Sequence, residues 1–246
     1  MKRTKLKMAL LTTLAAIVFN NIDLHAQSQF AGWLATFNTF KTGKKTSIHN
    51  DIQWRSTDNI THMQTFLFRA GLNVAVRKNM IVTGGYAYIS NRRVMGLVSG
   101  YAPEHRIWEQ LMINQKISSL TLAHRFRLEQ RFISKTAVEN NNIVNDGYVF
   151  ANRFRYFVRT LLPLQKSTGF SRGAFLALQN EIFLNIGNKA NVNGELFDQN
   201  RLYLAAGYRL SPKLDLETGY MWQSINGRGD VTTQVNIWQA AAYVRL

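Results

Sequence analysis

The sequence contains no cysteine, three prolines, and 14 acidic residues against 30 lysines and arginines in 246 residues. Because cysteine is absent, thiol catalysis, disulfide scaffolds, cysteine-based zinc sites and cysteine-linked lipid anchors are excluded. Scarce proline together with 12% aromatic residues excludes a disordered linker or tail. No stretch holds 18 consecutive apolar residues, so no transmembrane helix is predicted. The formal net charge of +16 indicates anionic partners.

The first residues have the composition of an export signal. Four basic residues within the first seven precede an apolar run over residues 8–19, and Ala26 supplies a small residue before a cleavage site. This order predicts a cleaved signal peptide over residues 1–26 and a mature domain over residues 27–246. A buried amphipathic helix is the alternative interpretation. Export argues against nucleic acid as the partner of this basic chain.

The rest of the chain alternates between apolar and polar residues. In segment 120–132, leucine and phenylalanine recur at even positions, whereas Arg125, Arg127 and Arg131 take odd positions. Segment 147–161 repeats the pattern. Helical spacing would scatter these arginines around a cylinder. Period-two alternation over about ten residues is instead typical of strands that span a membrane.

Eleven segments carry this alternation and are predicted to be strands. They cover residues 29–40, 46–55, 63–76, 80–90, 104–116, 120–132, 147–161, 174–186, 201–210, 214–223 and 232–246. We therefore predict an all-β fold, a single antiparallel transmembrane β-barrel of about ten to twelve strands. Single-chain bacterial barrels have an even number of strands. We accordingly expect one segment to be misassigned or missing, and the count to be ten or twelve.

The links between the predicted strands alternate in length. Short turns are expected at residues 42–45, 77–79, 116–119 and 211–213, and longer polar links at residues 91–103, 134–146, 187–200 and 224–232. Outer-membrane barrels have short periplasmic turns and longer outer loops. The alternation therefore favours a bacterial outer-membrane barrel over a soluble lipocalin-like barrel.

Aromatic and basic residues outside the alternating pattern point to the same setting. Aromatic side chains near predicted strand ends are expected to form interfacial girdles: Trp33, Trp54, Trp108, Tyr148, Tyr208, Trp222, Trp238 and Tyr243. Basic residues in the links are expected to contact lipopolysaccharide phosphates, with simple solubility as the alternative: Lys41, Lys44, Lys45, Arg92, Arg93 and Lys135. The alternating strand that reaches Leu246 is typical of a signal for the barrel-assembly machinery, so that machinery and the outer-membrane lipids are expected partners.

Two stretches resemble a known family. Residues 104–110, EHRIWEQ, and residues 124–132, HRFRLEQRF, are similar to the domain-of-unknown-function 2490 family of bacterial outer-membrane β-barrels. Residues 85–88, GYAY, and residues 152–156, NRFRY, fit the same pattern. The likeness covers nearly the whole mature chain. It implies a barrel in the outer membrane and supplies no activity, cofactor or catalytic residue.

Charged residues recur on the polar face of four consecutive predicted strands. They are Glu104, Arg106, Arg125, Arg127, Glu129, Arg131, Arg153, Arg155, Arg159 and Glu181. An arginine facing lipid costs about 2–4 kcal/mol at the bilayer midplane, so these residues are expected to face the lumen. They form either a salt-bridge network that fills a narrow barrel or a basic constriction that attracts phosphate, carboxylate or headgroup anions. A narrow anion-attracting pore or an envelope-structure protein is the first functional hypothesis.

A lipid hydrolase embedded in the barrel is the second hypothesis. Such enzymes pair a serine with a histidine on the outer face. His124 lies on the predicted apolar face with Ser118 and Ser119 nearby in the chain, and His105 is a further candidate. No serine lies in a nucleophile motif, and the histidines lack metal-ligand spacing. We therefore predict no catalytic residue, no metal and no cofactor; binding or adhesion through the loops is the third hypothesis.

Overall fold

The computed structural model describes residues 28–118, 120–165, 169–229 and 231–246, so the predicted signal peptide lies outside the described residues. The described residues form eleven strands: β1 Ser28–Lys41, β2 Thr46–Thr57, β3 His62–Arg77, β4 Met80–Met95, β5 Val98–Ile117, β6 Leu120–Glu139, β7 Asn142–Pro163, β8 Gly173–Ile186, β9 Phe197–Ser211, β10 Leu214–Asn226 and β11 Thr232–Arg245. A short 3-10 helix, Lys189–Asn191, lies between β8 and β9. Within these ranges, no helix is long and apolar enough to cross a membrane.

The strands close into one barrel, which confirms the predicted all-β barrel. Consecutive strands pair antiparallel, and β1 pairs with β11 in parallel. Each of the eleven predicted segments corresponds to one strand. The expected count of ten or twelve is wrong, because the barrel has eleven strands. With an odd number of alternating strands, the first and the last run in the same direction. The parallel ladder from Ser28 and Gln234 to Thr39 and Arg245 then closes the wall.

We call the end of the barrel that holds Leu246 and the links after β1, β3, β5, β7 and β9 the lower end. The upper end holds Ser28 and the remaining links. Strands β5, β6 and β7 have 20, 20 and 22 residues, whereas the other strands have 12–16. The β4–β5 and β6–β7 hairpins project from the upper end, because they continue beyond the ladders that β4 forms with β3 and β7 forms with β8.

Two of the predicted long links are wrong. Residues 91–103 and 134–146 mostly continue the ladders of β4–β5 and β6–β7. Asn140 and Asn141 adopt φ values of 48° and 61°, the left-handed conformations that a two-residue type I′ turn requires. Because asparagine tolerates this region, two residues are enough to join β6 to β7.

Alternate side chains of each strand face the lumen, at odd positions except in β5, where they are even. The polarity is the reverse of a water-soluble fold: lumen-facing Arg127 and Glu129 are 1% exposed, whereas outward Leu34 and Leu204 are 61% exposed. The period-two pattern of the sequence therefore sorts charge to the inside and apolar groups to the outside.

Part of the lumen is filled by apolar and aromatic side chains. One cluster gathers Trp33, Phe175, Tyr203 and Ile237 from strands around the β1–β11 seam. On the opposite wall Trp108 is 1% exposed and packs beside Leu67, Ala87 and Ile89. The prediction that Trp33, Trp108 and Tyr243 belong to surface girdles is therefore wrong for these three. Their alternation within the strand, rather than their distance from its end, determines the face they occupy.

Candidate functional site

The structure places all ten predicted site residues on the lumen side of the wall, each in at least one ion pair. Glu104 accepts from Arg106 Nε at 2.6 Å and from Arg131 Nε at 2.7 Å. Glu181 accepts from Arg125 Nη2 at 2.6 Å and from Arg155 Nη2 at 2.7 Å. These contacts join β5, β6, β7 and β8, because side chains on one face of neighbouring strands lie about 4.8 Å apart.

Glu129 lies at the centre of this network. Its carboxylate accepts from Arg153 Nη2 at 2.7 Å and from Arg155 Nη1 at 2.6 Å, with Arg106 Nη1 at 3.5 Å. Arg155 therefore bridges two carboxylates, those of Glu129 and Glu181. Charge-assisted bonds of this length are the strong class of hydrogen bond, and they hold the middle of the lumen in one arrangement.

Two of the predicted residues stand apart from the central network. Arg159 pairs with Glu217 of β10, nearer the lower end, beside the ring of Tyr243. Arg127 donates to Gln110 Oε1 at 2.6 Å and lies over Trp108, 4.5 Å from the ring centroid. Its nearest carboxylate oxygen belongs to Glu129 at 3.9 Å, so its charge is only weakly compensated.

Several lumen residues were missed by the sequence analysis. Arg69 pairs with Asp51 at 3.3 Å, and Arg153 also pairs with Asp198 at 3.0 Å. Arg55 and Arg201 face the same space. All of them lie on strands with period-two alternation, so the parity that selected the ten residues could have selected most of these too.

The lumen as a whole carries more positive than negative charge. Its upper and middle parts hold ten arginines against five carboxylates, namely Arg55, Arg69, Arg93, Arg106, Arg125, Arg127, Arg131, Arg153, Arg155 and Arg201 against Asp51, Glu104, Glu129, Glu181 and Asp198. Closed low-dielectric walls concentrate such a field. The electrostatic field in this part of the lumen is therefore net positive.

A cavity of about 550 Å³ occupies the upper half of the lumen. Its lining includes eight arginines and one carboxylate, that of Glu104. Lining residues such as Thr57, Gln64 and Thr233 lie close to upper links and are partly exposed, so the cavity reaches solvent at this end. Its size falls within the 300–1,000 Å³ range of small-molecule sites.

Buried side chains fill the lumen beside and below this cavity. Trp108, Arg127 and Glu129 are each 1% exposed, and Phe183 and Tyr203 are fully buried. Gly71 and Gly85 make room for the indole, because a Cβ at either position would lie 2.7 Å from Trp108 Cζ2. The upper cavity therefore has a floor of packed side chains.

The histidines on the outer face bond to tyrosines. His105 Nδ1 lies 2.5 Å from the hydroxyl of Tyr86, and His124 Nδ1 lies 2.9 Å from that of Tyr156. Of the two serines considered as nucleophiles, Ser119 lies outside the described residues. In the described ranges no serine hydroxyl is bonded to either histidine, and no cluster of three or more histidine and carboxylate side chains could hold a metal ion.

Comparison with known proteins identifies a family and no activity. A family model described as "Protein of unknown function (DUF2490)" matches residues 30–235. No curated protein and no solved structure matches the chain. The match covers β2 to β10 in full, including every residue of the central charge network.

Proposed function

This chain belongs to the DUF2490 family of proteins of unknown function, and we propose that it is a bacterial outer-membrane β-barrel that collects small anions in its lumen. The single observation that carries the proposal is the upper cavity, where eight arginines face one glutamate. The outer face of the wall supports the location, and the inner face supports the anion binding.

An apolar outer face is the support for the membrane location. Leu34, Leu178, Leu204 and Trp238 are 52–61% exposed, whereas the charged network is turned inward. A closed ladder satisfies every backbone group without a free edge, as hydrocarbon requires. Covering the apolar face with lipid contributes about 25 cal/mol for each Å² removed from water. Membrane lipids are accordingly proposed as the partner of this face.

We place the upper end outside the cell, because outer-membrane barrels project their longer segments outward. The six basic residues expected to contact lipopolysaccharide then separate into two groups. Arg92, Arg93 and Lys135 lie towards the upper end, and Lys41, Lys44 and Lys45 at the lower end. Arg93 lines the cavity, so Arg92 and Lys135 are the proposed contacts to lipopolysaccharide. Insertion by the barrel-assembly machinery follows from the same location.

Binding, rather than free passage, is the proposed fate of the anions. The layer of Trp108, Arg127 and Glu129 fills the middle of the lumen with side chains that are 1% exposed. A conducting pore needs a continuous hydrated path and weak binding along it. We therefore propose that anions enter the cavity from the upper end and are held above this layer.

Conductance in planar bilayers tests whether the lumen is closed and whether its electrostatic field favours anions. We expect the wild-type protein to give no steady channel steps under a KCl gradient. The Trp108→Ala variant removes the largest side chain of the closing layer, so we expect small discrete steps whose reversal potential indicates chloride selectivity. The conservative Trp108→Phe variant is the matched control and should remain silent.

Two results would overturn this proposal. Steady conductance by the wild-type protein would show that the layer does not close the lumen. Cation selectivity in the Trp108→Ala variant would contradict an anion-attracting field, since the same arginines line the entrance. Heat-modifiable migration in gels identifies properly folded protein before each recording.

The outer-face contacts give no support to a lipid hydrolase. The Nδ1 atoms of His105 and His124 lie 2.5 and 2.9 Å from tyrosine hydroxyls. In the described ranges neither histidine is bonded to a serine hydroxyl, as a serine nucleophile requires of its base. We accordingly propose that the protein is not an enzyme.

A further inference from the structure

Arg201 is a buried cation in the upper cavity that has no carboxylate partner within the described part of the chain. The residue is 8% exposed, and its Nη2 donates to the neutral oxygen of Gln199 at 3.1 Å. Among the described residues, its buried Nε meets no hydrogen-bond acceptor. A charged donor without an acceptor is costly to bury. An anion in the cavity would compensate the positive charge of this guanidinium.

Arg55 repeats this arrangement on the neighbouring wall. Its Nε and Nη2 donate to Gln53 Oε1 at 3.2 and 2.6 Å, again a neutral acceptor, and among the described residues it forms no ion pair. Arg55 and Arg201 lie over the same indole, at 4.1 and 4.9 Å from the ring centroid of Trp33. Two guanidinium groups that donate to neutral amide oxygens thus contact one aromatic ring.

Two guanidinium groups in one cavity, both at the Trp33 ring, match a doubly charged ligand group better than a singly charged one. A phosphate monoester carries about −1.5 to −2 charge at neutral pH with three acceptor oxygens, and arginine binds phosphate oxygens through paired N–H donors. A single carboxylate would neutralise only one of the two cations. Charge and donor pattern therefore favour a phosphoryl group bound by both Arg55 and Arg201.

The rest of the cavity lining suits a hydroxyl-rich part of the ligand, attached to the phosphoryl group. Uncharged polar side chains line the same cavity as the two arginines, among them Gln29, Thr65, Asn91 and Gln223. Amides and hydroxyls both donate and accept, as recognition of sugar hydroxyls requires. The cavity of about 550 Å³ is also of the size that holds a ligand with a body beyond its phosphate group.

We propose that the upper cavity binds a soluble phosphorylated sugar, with the phosphoryl group held by Arg55 and Arg201 beside Trp33. This inference rests on the proposed anion-collecting function and names its ligand class. The ligand is soluble rather than membrane-borne, because the continuous ladder around the cavity leaves no lateral opening for an acyl chain.

Calorimetric titration of the detergent-solubilised full-length barrel tests the inference. The probes are glucose 6-phosphate, glucose and inorganic phosphate. We expect the wild-type protein to bind glucose 6-phosphate more tightly than inorganic phosphate, and glucose not at all. Arg201→Gln and Arg55→Gln should each weaken glucose 6-phosphate binding by about ten- to a hundredfold, since each removes a charged hydrogen-bond donor. Arg201→Lys keeps the charge without the fork and should give an intermediate loss.

Arg228→Gln is the matched control, because Arg228 has the same charge near the same end but donates to the carbonyl oxygens of Ala190 and Val192 at 2.6 and 2.8 Å and is not part of the cavity lining. It should bind as the wild type does. Heat-modifiable migration in gels checks folding. We expect Arg201→Gln and Arg55→Gln to fold as the wild type does, because each removes a cation that forms no ion pair among the described residues.

Each outcome bears on a different claim. Undiminished binding by Arg201→Gln and Arg55→Gln would overturn the phosphoryl site while leaving an anion-collecting cavity. Equal affinity for inorganic phosphate and glucose 6-phosphate would overturn the sugar as part of the ligand. Binding of neither anion would overturn the proposed function together with the inference.

Discussion

At the scale of single residues, Glu129 is the carboxylate that compensates the charge of several lumen arginines. Four guanidinium groups lie within 4 Å of its carboxylate, those of Arg106, Arg127, Arg153 and Arg155. Removing one partner of a buried ionic network leaves the others uncompensated, at a cost of about 3–5 kcal/mol. We therefore expect Glu129→Gln to lower the free energy of unfolding by about that amount, measured by urea titration in lipid vesicles.

Glu109→Gln is the matched control for this prediction. Glu109 lies on the same pair of strands but on the outer face, where it is exposed and accepts from Gln130 Nε2 at 3.1 Å. Neutralising it removes no lumen contact, so we expect little or no loss of stability. Equal losses in the two variants would contradict a special role for the lumen network.

The sequence analysis selected ten lumen residues and left out Arg55 and Arg201, the two residues proposed to hold the ligand. Arg125, Arg127 and Arg131 follow one another at every second or fourth position, so their shared face is visible in the sequence. Arg55 and Arg201 stand singly on strands far apart in the chain. Only closure of the barrel brings them to one indole, and no local pattern encodes that contact.

At the scale of secondary-structure elements, the β3–β4 hairpin is shaped by glycine. An added Cβ at Gly85 would overlap the carbonyl oxygen of Ala70 and lie 2.7 Å from Trp108 Cζ2, so the strands or the indole must move. Overpacking of this kind costs about 1–3 kcal/mol. We expect Gly85→Ala to destabilise the barrel by that amount in the same urea titration.

The neighbouring glycine supplies the control. Gly84 faces outward, and a Cβ added there would have no atom within 4 Å; its φ also lies outside the left-handed region. Gly84→Ala should therefore be neutral or stabilise by about 0.4–1 kcal/mol through the unfolded state. If both alanine variants lost stability equally, crowding against Trp108 would not be the cause.

The sequence predicted where strands occur better than where they end. Every segment with apolar–polar alternation forms a strand, because its polar face is turned to the charged lumen and its apolar face is turned outward. The ladders of β4–β5 and β6–β7 extend beyond those runs through polar residues, where hydrophobic alternation gives no signal. Composition alone predicted a longer link between β6 and β7. The two-residue turn depends on the left-handed backbone conformation of Asn140 and Asn141.

At the scale of the whole molecule, the odd strand number sets the positions of the two ends of the described wall. Ser28 lies at the upper end and Leu246 at the lower end, where its carbonyl oxygen accepts from the Lys41 N–H at 2.6 Å. The expectation of an even number came from other barrels rather than from these residues. Alternation within a strand shows which residues share a face. It does not show whether the strand across the seam runs parallel or antiparallel.

The parallel seam makes a prediction that the cysteine-free chain allows to be tested cleanly. Phe30 lies opposite Asn236, and Asn38 lies opposite Val244, so cysteines placed at either pair should form a disulfide on mild oxidation in the membrane-inserted protein. The swapped pairs, Phe30 with Val244 and Asn38 with Asn236, are displaced by eight residues, about 26 Å along a strand, and should stay reduced. An antiparallel seam in an even-stranded barrel would reverse this result, because the swapped pairs would then face each other and the original pairs would not.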